Sequence, residues 1–78
     1  MVKVLFFAQI QEEVGEKEID IEAVGKSVKE IKELYLKKYE IDHILEEAMV
    51  AINEEYAPDS TIVEDGDVIA FIPPVSGG

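Results

Sequence analysis

The chain has 78 residues, 47% of them apolar, which is enough for one small core and one domain. Eighteen Asp and Glu stand against seven Lys and no Arg, a net charge of −11. That balance argues against nucleic acid and anionic membranes as partners and favours a basic protein, while also serving solubility. The absence of cysteine removes disulfides, thiolate metal sites and cysteine nucleophiles together.

Met1-Val2-Lys3-Val4-Leu5 enters a strand pattern directly, with no signal-peptide pattern, and no stretch approaches the ~18 apolar residues of a membrane span. A soluble cytoplasmic protein is expected. Val2 to Ala8 reads as the first strand, with Val2, Val4, Phe6 and Ala8 on one face and Lys3, Leu5 and Phe7 on the other. Lys3 belongs in water, so Leu5 and Phe7 are expected on a partly exposed face. Residues 9–15 read as a connection turning at Gly15. Glu16 to Glu22 alternates, with Ile19 and Ile21 inward, and the two strands together read as a hairpin.

Ser27 with Glu30 three residues later is a capping box that starts a helix. Val28, Ile31, Leu34 or Tyr35, and Tyr39 follow at helical spacing, Leu36 falls off that stripe and is expected half exposed, and Glu33 and Lys37 are spaced as an i,i+4 pair. Asp42 is expected to cap a short turn through Glu47. Met49 to Asn53 reads as a third strand, Tyr56-Ala57 as a short fourth, and Glu64-Asp65-Gly66-Asp67 as a turn. Val68 to Ile72 is the final strand, apolar enough for a central position covered on both faces. The order ββαβ(β)β predicts an α+β fold, the β-grasp or ubiquitin-like arrangement. A mixed sheet of four to five strands packs on one main helix, with the last strand parallel to the first. Residues 1–72 form the domain and 73–78 an extended tail.

That tail, Pro73-Pro74-Val75-Ser76-Gly77-Gly78, follows a core strand directly. The prolines favour a stiff extended path, and the two glycines can enter a channel too narrow for side chains. Six extended residues reach roughly 20 Å. This is a spacer presenting a slim carboxylate, and it suits a chain whose own C-terminus reacts.

No internal catalyst is legible. His43 is the only histidine and forms no metal site alone. Asp65-Gly66-Asp67 is a turn rather than a calcium loop, because an apolar strand follows it. The pairs Glu12-Glu13, Glu46-Glu47 and Glu54-Glu55 are adjacent in sequence and read as solvated charge. The remaining reactive group is the tail carboxylate, which becomes an acyl donor once a partner adenylates it. Sulfide can then displace AMP and leave a thiocarboxylate, a persulfide can displace it to an acyl disulfide that a thiol cleaves to the thiocarboxylate, or a lysine can be acylated instead. Either route needs a docked partner. Leu5, Phe7, Met49, Ala51 and Ile72 are the candidate docking residues.

Lys3-Val4-Leu5-Phe6-Phe7-Ala8-Gln9 resembles the opening of the molybdopterin synthase small subunit family. Asp65-Gly66-Asp67 with Val68 to Gly78, ending Phe-Ile-Pro-Pro-Val-Ser-Gly-Gly, resembles that family's ending, and Ala51-Ile52-Asn53 falls at a similar strand end. The segment around Glu40 to Ala48 is acidic and shorter than in familiar members. The resemblance implies a sulfur carrier whose Gly78 is adenylated by a ubiquitin-activating-type adenylyltransferase using ATP and then thiocarboxylated. No cofactor or metal is expected on this chain. The resemblance further implies that Pro73, Pro74, Val75, Ser76 and Gly77 insert into the large subunit of the synthase, with Ile72 docking beside it. Sulfur then passes to cyclic pyranopterin monophosphate to build the dithiolene for molybdenum or tungsten. The isolated chain would be no enzyme but the donor subunit of a sulfurtransferase complex, a heterotetramer with the large subunit. Sulfur delivery for thiamine or tRNA thiolation, and ubiquitin-like protein modification, are the alternatives.

Overall fold

A computed structural model of the chain describes residues 1–74. The elements in order are β1 (Val2–Phe6), α1 (Ala8–Val14), β2 (Glu18–Ile21), α2 (Val28–Leu34), a 3-10 turn (Lys37–Tyr39), α3 (Asp42–Leu45), β3 (Met49–Ile52), β4 (Glu55–Tyr56) and β5 (Val68–Ile72). The five strands form one mixed sheet in the order β2-β1-β5-β3-β4. β5 runs parallel to β1, with Lys3 opposite Val68 and Phe6 opposite Phe71. It runs antiparallel to β3, with Val50 opposite Phe71. The last strand is the middle of the sheet, as its apolar run predicts.

Strand alternation decides which side chains meet the core. Val2, Val4, Phe6, Val50, Ile69 and Phe71 turn to one face and are buried. Over them pack Ile10 of α1, Val28 and Ile31 of α2, Ile44 and Leu45 of α3, and Leu36 and Ile41 between elements. Burying each such side chain contributes about 1.5–3 kcal/mol, so this one cluster dominates the stability of so small a chain. Tyr39 meets Phe6 edge-on at 6.3 Å between ring centroids. The Ser27–Glu30 capping box is formed in both directions, Glu30 N–H donating to Ser27 Oγ at 3.1 Å and Ser27 N–H to Glu30 Oε1 at 3.0 Å.

Several expectations need correction. The connection after β1 is the helix α1, so β1 and β2 are antiparallel neighbours without being a tight hairpin. Ala8-Gln9-Ile10-Gln11-Glu12-Glu13-Val14 is rich in good helix formers, and Gly15 at φ 85 closes it with its N–H on Gln11 O. Ala8 therefore leaves the strand face it was assigned to.

Leu36 is fully buried, whereas Leu34 is 63% exposed. α2 ends at Leu34 and the Leu36 N–H reaches back five residues to Ile31 O. That widened turn shifts the helical phase and carries Leu36 inward. Lys37 then lies beyond the helix, and the ion pairs among the described residues are Met1–Asp65, Lys3–Glu18 and Lys32–Asp59, without Glu33–Lys37. Asp42 is the first residue of α3 rather than its cap, which is Ile41 and makes no side-chain bond. The short helices α1 and α3 add Ile10, Ile44 and Leu45 to the layer that α2 lays over the sheet. Finally, β5 is covered on one face only: Val68, Ala70 and Ile72 are half-buried on the other.

Candidate functional site: the open face of the sheet

The face away from the core carries Lys3 and Leu5 of β1, Met49 and Ala51 of β3, and Val68, Ala70 and Ile72 of β5. Register brings them together. Leu5 lies opposite Ala70, Ala70 opposite Ala51, and Met49 opposite Ile72. Two alanines side by side at the centre of a sheet leave a depression, and Leu5, Phe7 and Ile72 stand around it. Leu5, Phe7, Ala51, Val68, Ala70 and Ile72 line one groove, joined by Asn53 and Glu54 at its end.

Phe7 reaches this face from the joint between β1 and α1. It is the extended N-cap residue of α1, and Ala8 after it turns the chain with a positive φ of 48°. Phe7 is 44% exposed and Met49 49% exposed, large apolar side chains left in water beside the groove. Ala51 is buried by its neighbours and forms floor rather than wall. Of the five predicted docking residues, four line the groove, and Met49 adjoins it through Ile72.

The polar groups around the groove are mostly engaged. Lys3 Nζ lies 2.9 Å from Glu18 Oε2, and that hydrogen bond, with Asp20 nearby, holds the ammonium above its usual pKa. Asn53 Nδ2 donates to Asp67 Oδ1 at 2.9 Å, while Asn53 Oδ1 accepts from Val68 N–H at 3.0 Å. Asp67 Oδ2 accepts from Glu64 N–H at 2.8 Å. The Glu64–Asp67 turn is thereby fastened to the start of β5, and its carboxylate is a structural acceptor. Among the described residues no group of three His, Cys, Asp or Glu could hold a metal ion. His43 is exposed on α3, and Glu12-Glu13, Glu46-Glu47 and Glu54-Glu55 are exposed in three separate places.

β5 ends at Ile72, after which Pro73 is buried and Pro74 exposed. The predicted tail residues Val75, Ser76, Gly77 and Gly78 lie outside the described residues. Sequence reading missed Val68 and Ala70 as groove residues because it took β5 as buried on both faces. Strict alternation from Ile72 would have found them. It also missed the Asn53 clamp, which depends on a turn brought alongside β5 from elsewhere in the chain.

A mixed sheet with parallel first and last strands, a capped helix across one face and an apolar groove on the other defines a β-grasp protein of the ubiquitin-like class. The chain belongs to the ThiS family, whose model matches residues 4–78. It is 38% identical over 81 residues to a molybdopterin synthase sulfur carrier subunit of Haemophilus influenzae, spanning 100% of both chains. The corresponding protein of Arabidopsis thaliana is 37% identical over 79 residues, 99% of this chain and 82% of that one. Among solved structures, the chain resembles one from the complex of subunits 1 and 2 of molybdopterin-converting factor from Helicobacter pylori 26695. The TM-score is 0.74 at 32% identity, covering 99% of this chain and 97% of that one.

Proposed function

We propose that this chain is the sulfur carrier subunit of a molybdopterin synthase and works as the donor half of a sulfurtransferase complex. The observation that carries this is the placement of Ile72. It is the last residue of the sheet's central strand, it lines the apolar groove, and the Pro-Pro segment follows it directly. A partner seated on the groove would lie beside Pro73 and Pro74, where the sheet ends.

The chemistry sits on the Gly78 carboxylate. A ubiquitin-activating-type partner adenylates it with ATP, releasing pyrophosphate, and a sulfur nucleophile displaces AMP to leave a thiocarboxylate. The large subunit of the synthase then docks on the groove, takes in Val75 to Gly78 and directs the terminal sulfur to cyclic pyranopterin monophosphate. This chain supplies the docking face, the spacer and the sulfur, and the acid–base groups of the transfer belong to the large subunit. The full-length similarity to molybdopterin synthase sulfur carrier subunits supports this acceptor over thiamine or tRNA thiolation.

The test is intact mass with fragmentation of the tail, on protein incubated with ATP, a sulfur source and the host's activating enzyme. Exchange of oxygen for sulfur at Gly78 is the expected result. Isopeptide links from Gly78 to lysines would move the protein to the modifier class, and a tail left unmodified would end the carrier reading.

A further inference from the structure

Glu54 stands where its backbone does not favour it. β3 and β4 are joined by two residues, Asn53 at φ 51 and Glu54 at φ 71. Positive φ at both central positions is the type I′ pattern, in which glycine is the easy second residue and Asn-Gly the common pair. Asn53 suits its position and is held there by Asp67 and Val68. Glutamate carries a Cβ into the left-handed region, where an L side chain is strained.

Glu54 also lines the apolar groove. The other polar lining residue, Asn53, has both side-chain atoms engaged. Glu54 makes no hydrogen bond or ion pair with the described residues, whose side-chain bonds and ion pairs lie elsewhere. The open face has one lysine of its own, Lys3, and it is already paired to Glu18. Glu54 is exposed and solvated in the free chain, and no second lysine on this face competes with a partner's cation for its carboxylate.

We propose that Glu54 is a specificity residue of the docking face, kept at a strained turn position to receive a lysine or arginine of the partner. The apolar stem of that side chain would lie along Ala51 and Val68 while its charged head meets the carboxylate. This rests on the large subunit docking at the groove, as proposed above. It adds the chemistry of the partner's contact: a basic side chain at the β3–β4 end, in an interface otherwise apolar at its centre.

The test is calorimetric titration of the full chain with the purified molybdopterin synthase large subunit, at low and high salt, beside thermal melts of each variant. Glu54→Gly is expected to melt higher than the wild type and yet bind about fivefold more weakly at low salt. Glu54→Gln is expected to melt like the wild type and bind weaker by a similar factor. Both deficits are expected to shrink at high salt, where a rim charge is screened. Wild-type affinity in Glu54→Gln at low salt, or a deficit of equal size at both salts, would overturn the proposal. Failure of the wild type itself to bind would remove the docking reading and this inference with it.

Discussion

Met49 and Ile72 face each other across the β3–β5 ladder at the point where the chain leaves the sheet, one 49% exposed and the other half-buried. Neither side chain is in the core, so the pair contributes more to the surface than to the fold. Met49→Lys should leave the melting temperature nearly unchanged, the change in stability staying within about 0.5 kcal/mol. The same substitution sets a charge beside the apolar groove and should weaken binding to the synthase large subunit by about 1 kcal/mol, roughly fivefold. Calorimetry and a thermal melt on one preparation check both halves.

The two leucines at the end of α2 should behave oppositely. Leu36→Ala empties a fully buried site and should cost about 2–5 kcal/mol, a large share of the roughly 4–12 kcal/mol expected for a chain of this length. Leu34→Ala, at a site 63% exposed, should stay within about 0.5 kcal/mol. Urea denaturation of the two variants measures the difference directly.

The capping box gives α2 a pH dependence of known sign. The Glu30 carboxyl is held below its ordinary value of 4.5, chiefly by the hydrogen bond it accepts from Ser27 N–H. A depressed carboxyl contributes stability that is present above its ordinary pKa and lost as pH falls through the folded one. Glu30→Gln should therefore be less stable than the wild type at neutral pH, with the gap closing in acid below about pH 4. Ser27→Ala removes the other half of the box and should cost about 1 kcal/mol at neutral pH. Denaturant melts across the pH range follow both.

Gly66 offers a clean measure of backbone strain. It sits at φ 86, its N–H donates to Met1 O, and beyond its two chain neighbours nothing lies within 4 Å of where a Cβ would stand. Gly66→Ala thus meets no steric obstacle and should still lose about 1 kcal/mol, from the left-handed backbone alone. A loss of several kcal/mol in equilibrium unfolding would show instead that the turn and its Asp67 clamp had been displaced.

Much of this architecture is written in local pattern. Ile19 and Ile21 alternate with acids, Ser27 and Glu30 mark a helix start, and Val68 to Ile72 is too apolar to lie at an edge. These signals survive because strand period, capping and burial each act over a few residues. The misread parts depend on more distant geometry. Leu36 reads as an exposed position only if α2 keeps its phase past Leu34, and the widened turn at Ile31 breaks it. α1 was legible in its helix formers, in Ile10 and Val14 one turn apart and in Gly15, but the strand before it invited a hairpin. Leu5, Phe7, Ala51 and Ile72 could be nominated from alternation and composition. Their meeting with Val68 and Ala70 in one groove needed the registers of β1, β5 and β3.

β5 lies between β1 and β3, although it is the last strand among the described residues, and its ladder pairs residue 3 with residue 68. During synthesis the earlier strands emerge first, with an open slot where β5 belongs and two unpaired edges beside it. Such edges are templates for the wrong partner until the slot is filled. Pairing so distant in sequence is also slow to form, so the sheet closes late. A chain cut before Val68 would lack the centre of its sheet and leave β1 and β3 without their shared neighbour.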